Sequence, residues 1–517
     1  MKNLLKSLFV VIPVFLLSTT GCNDFIDRDP LSELAPGTFF KTKGDMNSWV
    51  NGMYDELQNT LMGNQIGVLE WGDLRSDNYN ATGYGDTRVY MNAIDASQAQ
   101  YNWESLYRVV DRCNVAIERF PLIPNTTPAD YNDNLGQSHG IRALMYFYAI
   151  RVWGDVPLVT NAWDGNLESS RVGRTPVNEV KAQILADIDK AISMLSTTVT
   201  ANRKFTFNLG AAYALKTDVH MWFKEYDQAL LASNYFIDNS NHKLVTNSMQ
   251  WKEIFMNPTT STETIFTLAW SSDLIDGSNA WAQRVGASNS NNPYQVSQEI
   301  FDEFVTRLRS GNGEDGRFWN VLDTVRISNF TGGTVPIGYN HYFPNSTFSD
   351  GITKNQKFSP PATENGRMWA ALSSTLSFVQ MPIYRLADVL TLRAEALNQL
   401  GRGGEALEIV NAIRARVGYL KDANTEVAAG DKAAVENLIL DERQLEFMAE
   451  GKRWFDLMRT DKVLEVMDPV MRERQQAANV VQTGFGDIGR AKFPIYYKEF
   501  EANPALKGQQ NSPYSEG

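Results

Sequence analysis

The chain has 517 residues, with 60 acidic against 48 basic side chains and a formal net charge of −12. So acidic a surface argues against nucleic acid and against anionic lipid as partners. With only 2 cysteines, Cys22 and Cys113, no disulfide framework is in prospect, and a chain of this length has ample apolar residues for a core of its own.

Lys2 and Lys6 precede an apolar run from Leu8 to Leu17. That run is shorter than the roughly 20 residues a membrane-crossing helix needs, and its flanks are those of a secretory leader. Thr19-Thr20-Gly21-Cys22 follows and resembles a lipobox, with Thr19 where leucine is commoner. The resemblance implies that residues 1–21 are removed and that Cys22 becomes the lipidated N-terminus, anchored without spanning. Residues 22–40 then form a tether, and its Asp24, Asp27 and Asp29 resemble the acidic export tag of surface lipoproteins.

Residues 41–256 read as helical. One pair is expected from Asn114 to Phe120 and from Ser138 to Val152, with a polar loop over 72–101 before it. A run from Leu209 to Phe223 leads into Lys224-Glu-Tyr226-Asp-Gln-Ala229-Leu230, which fits the turn and second helix of a tetratricopeptide unit. Between 257 and 380 Gly, Asn, Ser, Thr and Pro dominate. That stretch predicts long loops with short strands such as Thr264 to Trp270, where binding residues usually sit. Residues 381–517 return to helix: Ile383, Leu386, Leu390, Ala394 and Leu397 share a face, and Gly401 to Gly404 break it. A second helix through Leu407, Val410, Ile413 and Val417 follows, with Gly418 as its cap. The fold class expected is mainly α: a tetratricopeptide-like scaffold of helical hairpins with a loop-rich, irregular second half containing a few short strands.

Motifs for catalysis or cofactors are missing. His139, His220, His242 and His341 are scattered, with no His-Glu-x-x-His, Cys-x-x-Cys or Gly-x-Ser-x-Gly. Gly311-Asn-Gly313-Glu-Asp-Gly316 matches a dinucleotide glycine pattern. It follows the helix-like stretch Phe301 to Arg309 instead of a strand, and its two acids would repel phosphate, so it reads as a loop. The expectation is a protein with no cofactor, no metal and no enzymatic role. A paired-carboxylate hydrolase is the minor alternative, since carboxylate separation in space is not visible in a sequence.

Binding chemistry is better represented. Aromatic rings cover the apolar faces of sugars, and amides or charges at the ring edges satisfy hydroxyls. Loop 72–101 offers Asp77, Asn78, Tyr79 and Tyr84; later loops offer Trp281, Tyr342, Arg367 and Trp369. The same groups could grip a peptide, and helical repeats alone would also suit a protein-protein scaffold.

Four blocks narrow the field. Pro382 to Leu397 leads into Val410-Asn-Ala-Ile-Arg-Ala-Arg-Val-Gly418. Next come Asp441-Glu-Arg-Gln-Leu-Glu-Phe-Met-Ala-Glu-Gly-Lys-Arg-Trp-Phe-Asp-Leu-Met-Arg459 and Phe493-Pro-Ile495 with Asn503-Pro-Ala-Leu506. In this order they resemble the SusD/RagB family of nutrient-binding outer-membrane lipoproteins, and Trp103 to Asn114 and Arg151 to Pro157 agree. The resemblance implies a glycan or peptide ligand and outer-membrane, surface-exposed placement. It also implies a SusC-like TonB-dependent transporter that the lipoprotein caps. Within the third block, Glu442, Glu446 and Glu450 at four-residue spacing predict a charged helix face with ion pairs, and Trp454, Phe455, Leu457 and Met458 predict core packing.

Overall fold

The computed structural model describes residues 39–63, 67–81, 87–198, 200–238, 241–270, 294–313, 315–317 and 380–516. Helices dominate these residues, and none is long and apolar enough to cross a membrane. Local signals start them. Thr42 and Asp45 form a capping box at the head of α1 (Lys43–Met62), and Thr127 and Asp130 form another ahead of Pro128.

A first hairpin joins α2 (Glu104–Arg119) to α3 (Pro128–Trp153). Helix α3 is buried along nearly all of its second half, from Leu135 to Trp153, so α1, α2 and α4 (Val177–Met194) pack round it. The second hairpin pairs α5 (Leu209–Trp222) with α6 (Tyr226–Asp238). After α7 (Ser248–Met256) and α8 (Gln298–Arg309) comes the third, α9 (Leu386–Gln399) with α10 (Gly403–Arg416). Helix α6 packs directly on α9, so the irregular segment between them leaves the stack and returns to it. Ala229, Ala394, Ala396 and Ala406, all without exposed surface, allow that close approach around Leu397 and Leu407. Gly403 sits where an added Cβ would lie 2.0 Å from the carbonyl of Ala429. Helices α11 (Lys432–Glu446), α12 (Arg453–Arg459) and α13 (Val463–Ala477) complete the stack.

The expected mainly helical class and its hairpins are therefore present, and the helices of the first pair run longer than apolar periodicity alone suggested. One boundary differs. Ile383, expected to open the helix of the third hairpin, lies in a strand. Among the described residues two antiparallel pairs of named strands occur: β1 (Tyr79–Ala81) with β3 (Tyr294–Val296), and β2 (Thr264–Thr267) with β4 (Pro382–Arg385). Every residue of β2 and β4 is buried, so neither short strand carries an in–out alternation to separate it from helix.

The glycine-rich stretch after α8 is a loop docked on the end of α10. Gly316 N–H donates to the Val417 carbonyl (2.8 Å), and the Leu420 N–H donates to that of Asn312 (2.7 Å). Gly313, at φ +84°, has no room for a side chain, because a Cβ there would lie 2.2 Å from the Gly418 carbonyl.

Candidate functional site

Asp77, Asn78 and Tyr79 lie at the entry to β1 and face inward. The Asp77 carboxylate takes Arg453 through Nε (2.9 Å) and Nη2 (2.7 Å), and Gln444 Nε2 at 2.9 Å. Asn78 has no exposed surface: its Nδ2 donates to Asp73 Oδ1 (2.7 Å), its Oδ1 accepts from Gln444 (2.9 Å), and its carbonyl accepts from Ser297 N–H (2.8 Å). Tyr79 is likewise fully buried in the main core. All three side chains are thus engaged within the fold, where they brace the chain just before segment 82–86. Of the other candidates, Cys22, Tyr84, Trp281, Tyr342, Arg367 and Trp369 lie outside the described residues.

What the described residues do show is where those loops are rooted. Segment 82–86 leaves from Ala81, whose register partner is Tyr294, the residue at which segment 271–293 returns. That segment departs after Trp270, whose N–H donates to Gln380 Oε1 (2.7 Å) while Gln380 Nε2 donates back to the Trp270 carbonyl (2.5 Å). Gln380 is in turn where segment 318–379 returns, and Arg317 is where it leaves. Segments 82–86 and 271–293 thus share one junction, at the β1–β3 pair, and segments 271–293 and 318–379 share another, at Trp270 and Gln380.

A buried charged hub lies under these roots. Glu442 and Glu446 on α11, with Glu450 just beyond it, share a cluster with Glu263 and Asp315 and with five guanidiniums, Arg307, Arg317, Arg385, Arg414 and Arg416. None of these side chains is more than 7% exposed. Arg317 Nη1 lies 3.0 Å from Glu446 Oε2, and Arg385 Nη1 lies 2.5 Å from Glu446 Oε1, so one carboxylate grips a residue at each end of segment 318–379. Arg416 binds the same carboxylate and, at 2.9 Å, Glu263 beside β2. Burial pushes Glu446 up, but Arg416, Arg385 and Arg317 outweigh it and hold the group at about 2. Glu442 is held well below the usual range in the same way by Arg307, Arg317 and Arg414. Glu450 shares Arg385 with Glu446, and burial carries it to about 7.

Next along α11, Arg443 points the other way, to Asp388 (2.9 Å) and Asp456 (2.9 Å), where Arg459 and Glu395 close a second buried cluster. The glutamates at four-residue spacing do make ion pairs, but inside the molecule and not on a solvated face. Trp454, Phe455 and Leu457 are buried as expected, and Met458 packs at the edge of the core. Gln380, Arg317, Glu263 and Arg416 escaped sequence reasoning, because no local pattern marks a lone polar residue as the partner of one far along the chain, as Gln380 is of Trp270 and Arg416 of Glu263.

Two of the scattered histidines sit in structural pairs, His139 with Asp187 (2.7 Å) and His220 with Glu225 (2.8 Å), His242 packs against Phe236, and His341 lies outside the described residues. Among the described residues no group of three His, Cys, Asp or Glu side chains could hold a metal ion.

Comparison with known proteins adds a further finding. Residues 262–514 match the family described as "SusD family", and residues 24–221 match one described as "Starch-binding associating with outer membrane". SusD-like protein P38 of Formosa agariphila is 30% identical over 99% of both chains. A SusD-like protein of Bacteroides ovatus is 22% identical over 89% of this chain and 83% of its own. Among solved structures, a SusD superfamily protein from Bacteroides vulgatus superposes with a TM-score of 0.71 at 20% identity, covering 92% of this chain and 100% of that one. B. fragilis NanU gives 0.69 at 21% identity over 94% and 100%. A laminarin-binding SusD-like protein gives 0.67 at 20% identity over 92% and 100%.

Proposed function

The chain belongs to the SusD family, and from that membership we propose that it is a non-catalytic lipoprotein of the outer membrane that captures an oligosaccharide nutrient. In this reading Cys22 carries the lipid and the acidic tether leads to the surface. Segments 82–86, 271–293 and 318–379 form the ligand site, through Tyr84, Trp281, Tyr342, Arg367 and Trp369. A SusC-like TonB-dependent transporter receives the cargo.

The observation that carries the proposal is the gathering of the loop roots. Binding residues on separate loops act together only if a rigid base holds their ends in register. Here Glu446 and the Trp270–Gln380 pair do that for segments that sequence alone leaves unrelated. The family description of starch binding and the laminarin binding of one structural relative support a carbohydrate as cargo.

The test has two arms. Cys22→Ala should leave the protein unacylated and move it out of the outer-membrane fraction; retention there without acyl label would refute the anchor. Replacing Tyr84, Trp281 and Trp369 with Ala should weaken glycan retention with an unchanged unfolding midpoint. Full retention by that variant across a polysaccharide panel would remove the loops from the site.

A further inference from the structure

Away from the loop roots, an open groove of about 1000 Å³ runs between α2 and the helical turn Tyr497–Ala502. Sequence spacing builds one wall: Trp103, Tyr107 and Asp111 follow each other at four residues on one stripe of the α2 segment, and Glu104, Arg108 and Arg112 on the next. Rings therefore alternate with hydrogen-bonding groups. Trp49 from α1, Tyr496 and Trp163 add further aromatic surface from three other parts of the chain. Beside it, a chamber of about 350 Å³ reaches inward past Tyr107 and Asp111 to Pro157 and Val159. Both volumes fall within the range of small-molecule sites, roughly 300–1,000 Å³.

Trp163 is the most informative residue. Its side chain is on a surface loop and the residue is 60% exposed, yet the backbone around it is pinned. The Trp163 N–H donates to Asp111 Oδ1 (3.0 Å), the Ala162 N–H to Glu118 Oε1 (2.8 Å), and Asn114 Nδ2 to the Asn161 carbonyl (2.9 Å). An exposed indole on a fixed backbone is partly preorganised, and an apolar face laid on it gains burial with only the ring's own rotamers left to order.

The charges show what kind of face. Arg108 is shared between Glu56 and Glu104 (2.7 Å each), and Arg112 lies 3.8 Å from Glu56 and over the Trp49 ring. Lys498 and Glu499 stand side by side across the groove. Glu499 accepts hydrogen bonds from Trp103, and burial raises it to about 7. Signs are mixed and largely compensated, so no field selects an anion or a cation. Flat rings edged by charge-assisted hydrogen-bonding groups suit a neutral polyhydroxylated ring system.

We propose that this groove is a second carbohydrate-binding site, taking an uncharged oligosaccharide whose sugar ring stacks on Trp163 and whose hydroxyls meet Asp111, Arg112 and Glu499. None of its residues belongs to the three loop excursions or to the charged hub. It rests on the reading that the cargo is a glycan, and it makes the chain a two-site binder, with the avidity that follows for a long polysaccharide.

The experiment is native affinity electrophoresis of the full chain through laminarin, amylopectin and xylan. It compares Trp163→Ala and Asp111→Asn with the loop variant carrying Trp281→Ala and Trp369→Ala. The expected result is retention at least about tenfold weaker in Trp163→Ala, residual retention in the loop variant, and none when both are combined. Retention unchanged in Trp163→Ala and Asp111→Asn but abolished in the loop variant would overturn the second site and leave the proposed function standing. If the unaltered chain is retained by no polysaccharide, both fall. If Trp163→Ala keeps glycan retention but no longer co-purifies with a transporter, the groove is a protein interface and the proposal is wrong.

Discussion

The crossing of the second and third hairpins around Ala229, Leu397 and Ala406 and the charged hub around Glu446 are both closed to water, yet opposite chemistry fills them. In the first, small alanines and leucines interdigitate, and attraction is non-directional. In the second, carboxylates meet guanidiniums in fixed geometry and tie Glu263, Asp315, Arg385, Arg416 and α11 into one unit. Apolar packing gives the scaffold its rigidity. The hub adds position: an Arg–carboxylate pair accepts one arrangement, so the loop roots cannot slide as a greasy surface can. A buried ion network of this kind is no guarantee of net stability over an apolar isostere, but it is costly to break.

The contrast can be broken most sharply at Glu446. Glu446→Ala leaves Arg317, Arg385 and Arg416 short of a partner and should lower unfolding free energy by about 3–5 kcal/mol, read from urea or guanidinium midpoints. A loss below about 1 kcal/mol would mean that the hub does not hold the roots.

Acid should distinguish the two regions next. Glu442 and Glu446 have folded pKa values below their ordinary 4.5, so the stability they contribute is complete above about 4.5 and drains as pH falls toward about 2. At about pH 3.5 the two together should have lost about 2–3 kcal/mol, a decline that calorimetry would follow and that Glu446→Gln should halve. Asp73 and Glu499, raised to about 7 by burial, act oppositely: they weaken the fold as pH climbs from their ordinary range to about 7. Stability should therefore peak on the acid side of neutrality.

A smaller effect is expected from overfilling the apolar crossing. Ala406→Leu should cost about 1–2 kcal/mol and leave glycan retention intact, because the packing error stays within the hairpins. Smallest of all, Trp163→Ala should shift the unfolding free energy by no more than about 0.5 kcal/mol, since its ring is largely in solvent. A larger drop would make it a packing residue instead of a contact for ligand.

Particular elements show how far each kind of information reaches. The Leu209–Asp238 and Leu386–Arg416 hairpins were legible because apolar spacing, the Ala-Leu pair and the turn residues all lie within one short window. The loop after α8 was legible as a loop for the same reason. Ile383 was not legible as strand, because β4 is buried on both faces and its partner β2 lies more than 100 residues away. Nor were the partners of Asp77 and Asn78 within the fold legible, since a polar stretch reads alike whether it turns out or in. Their inward direction is set by Gln444 and Arg453, hundreds of positions later. The rings of the groove were all visible as aromatics, but only α2 brought two of them into one pattern.

By itself, the amino-acid order determined the helical scaffold, its hairpins and the family, because helix periodicity, caps and close-packed alanines are local properties of the chain. Tertiary structure alone decided that the glutamates of α11 are interior, that Trp270 meets Gln380 and Ala81 meets Tyr294, and that Trp49, Trp103, Trp163 and Tyr496 line one groove. The reason is physical: a charge or a ring is given its role by whatever surrounds it, and here the surroundings come from segments that folding, not sequence, makes neighbours.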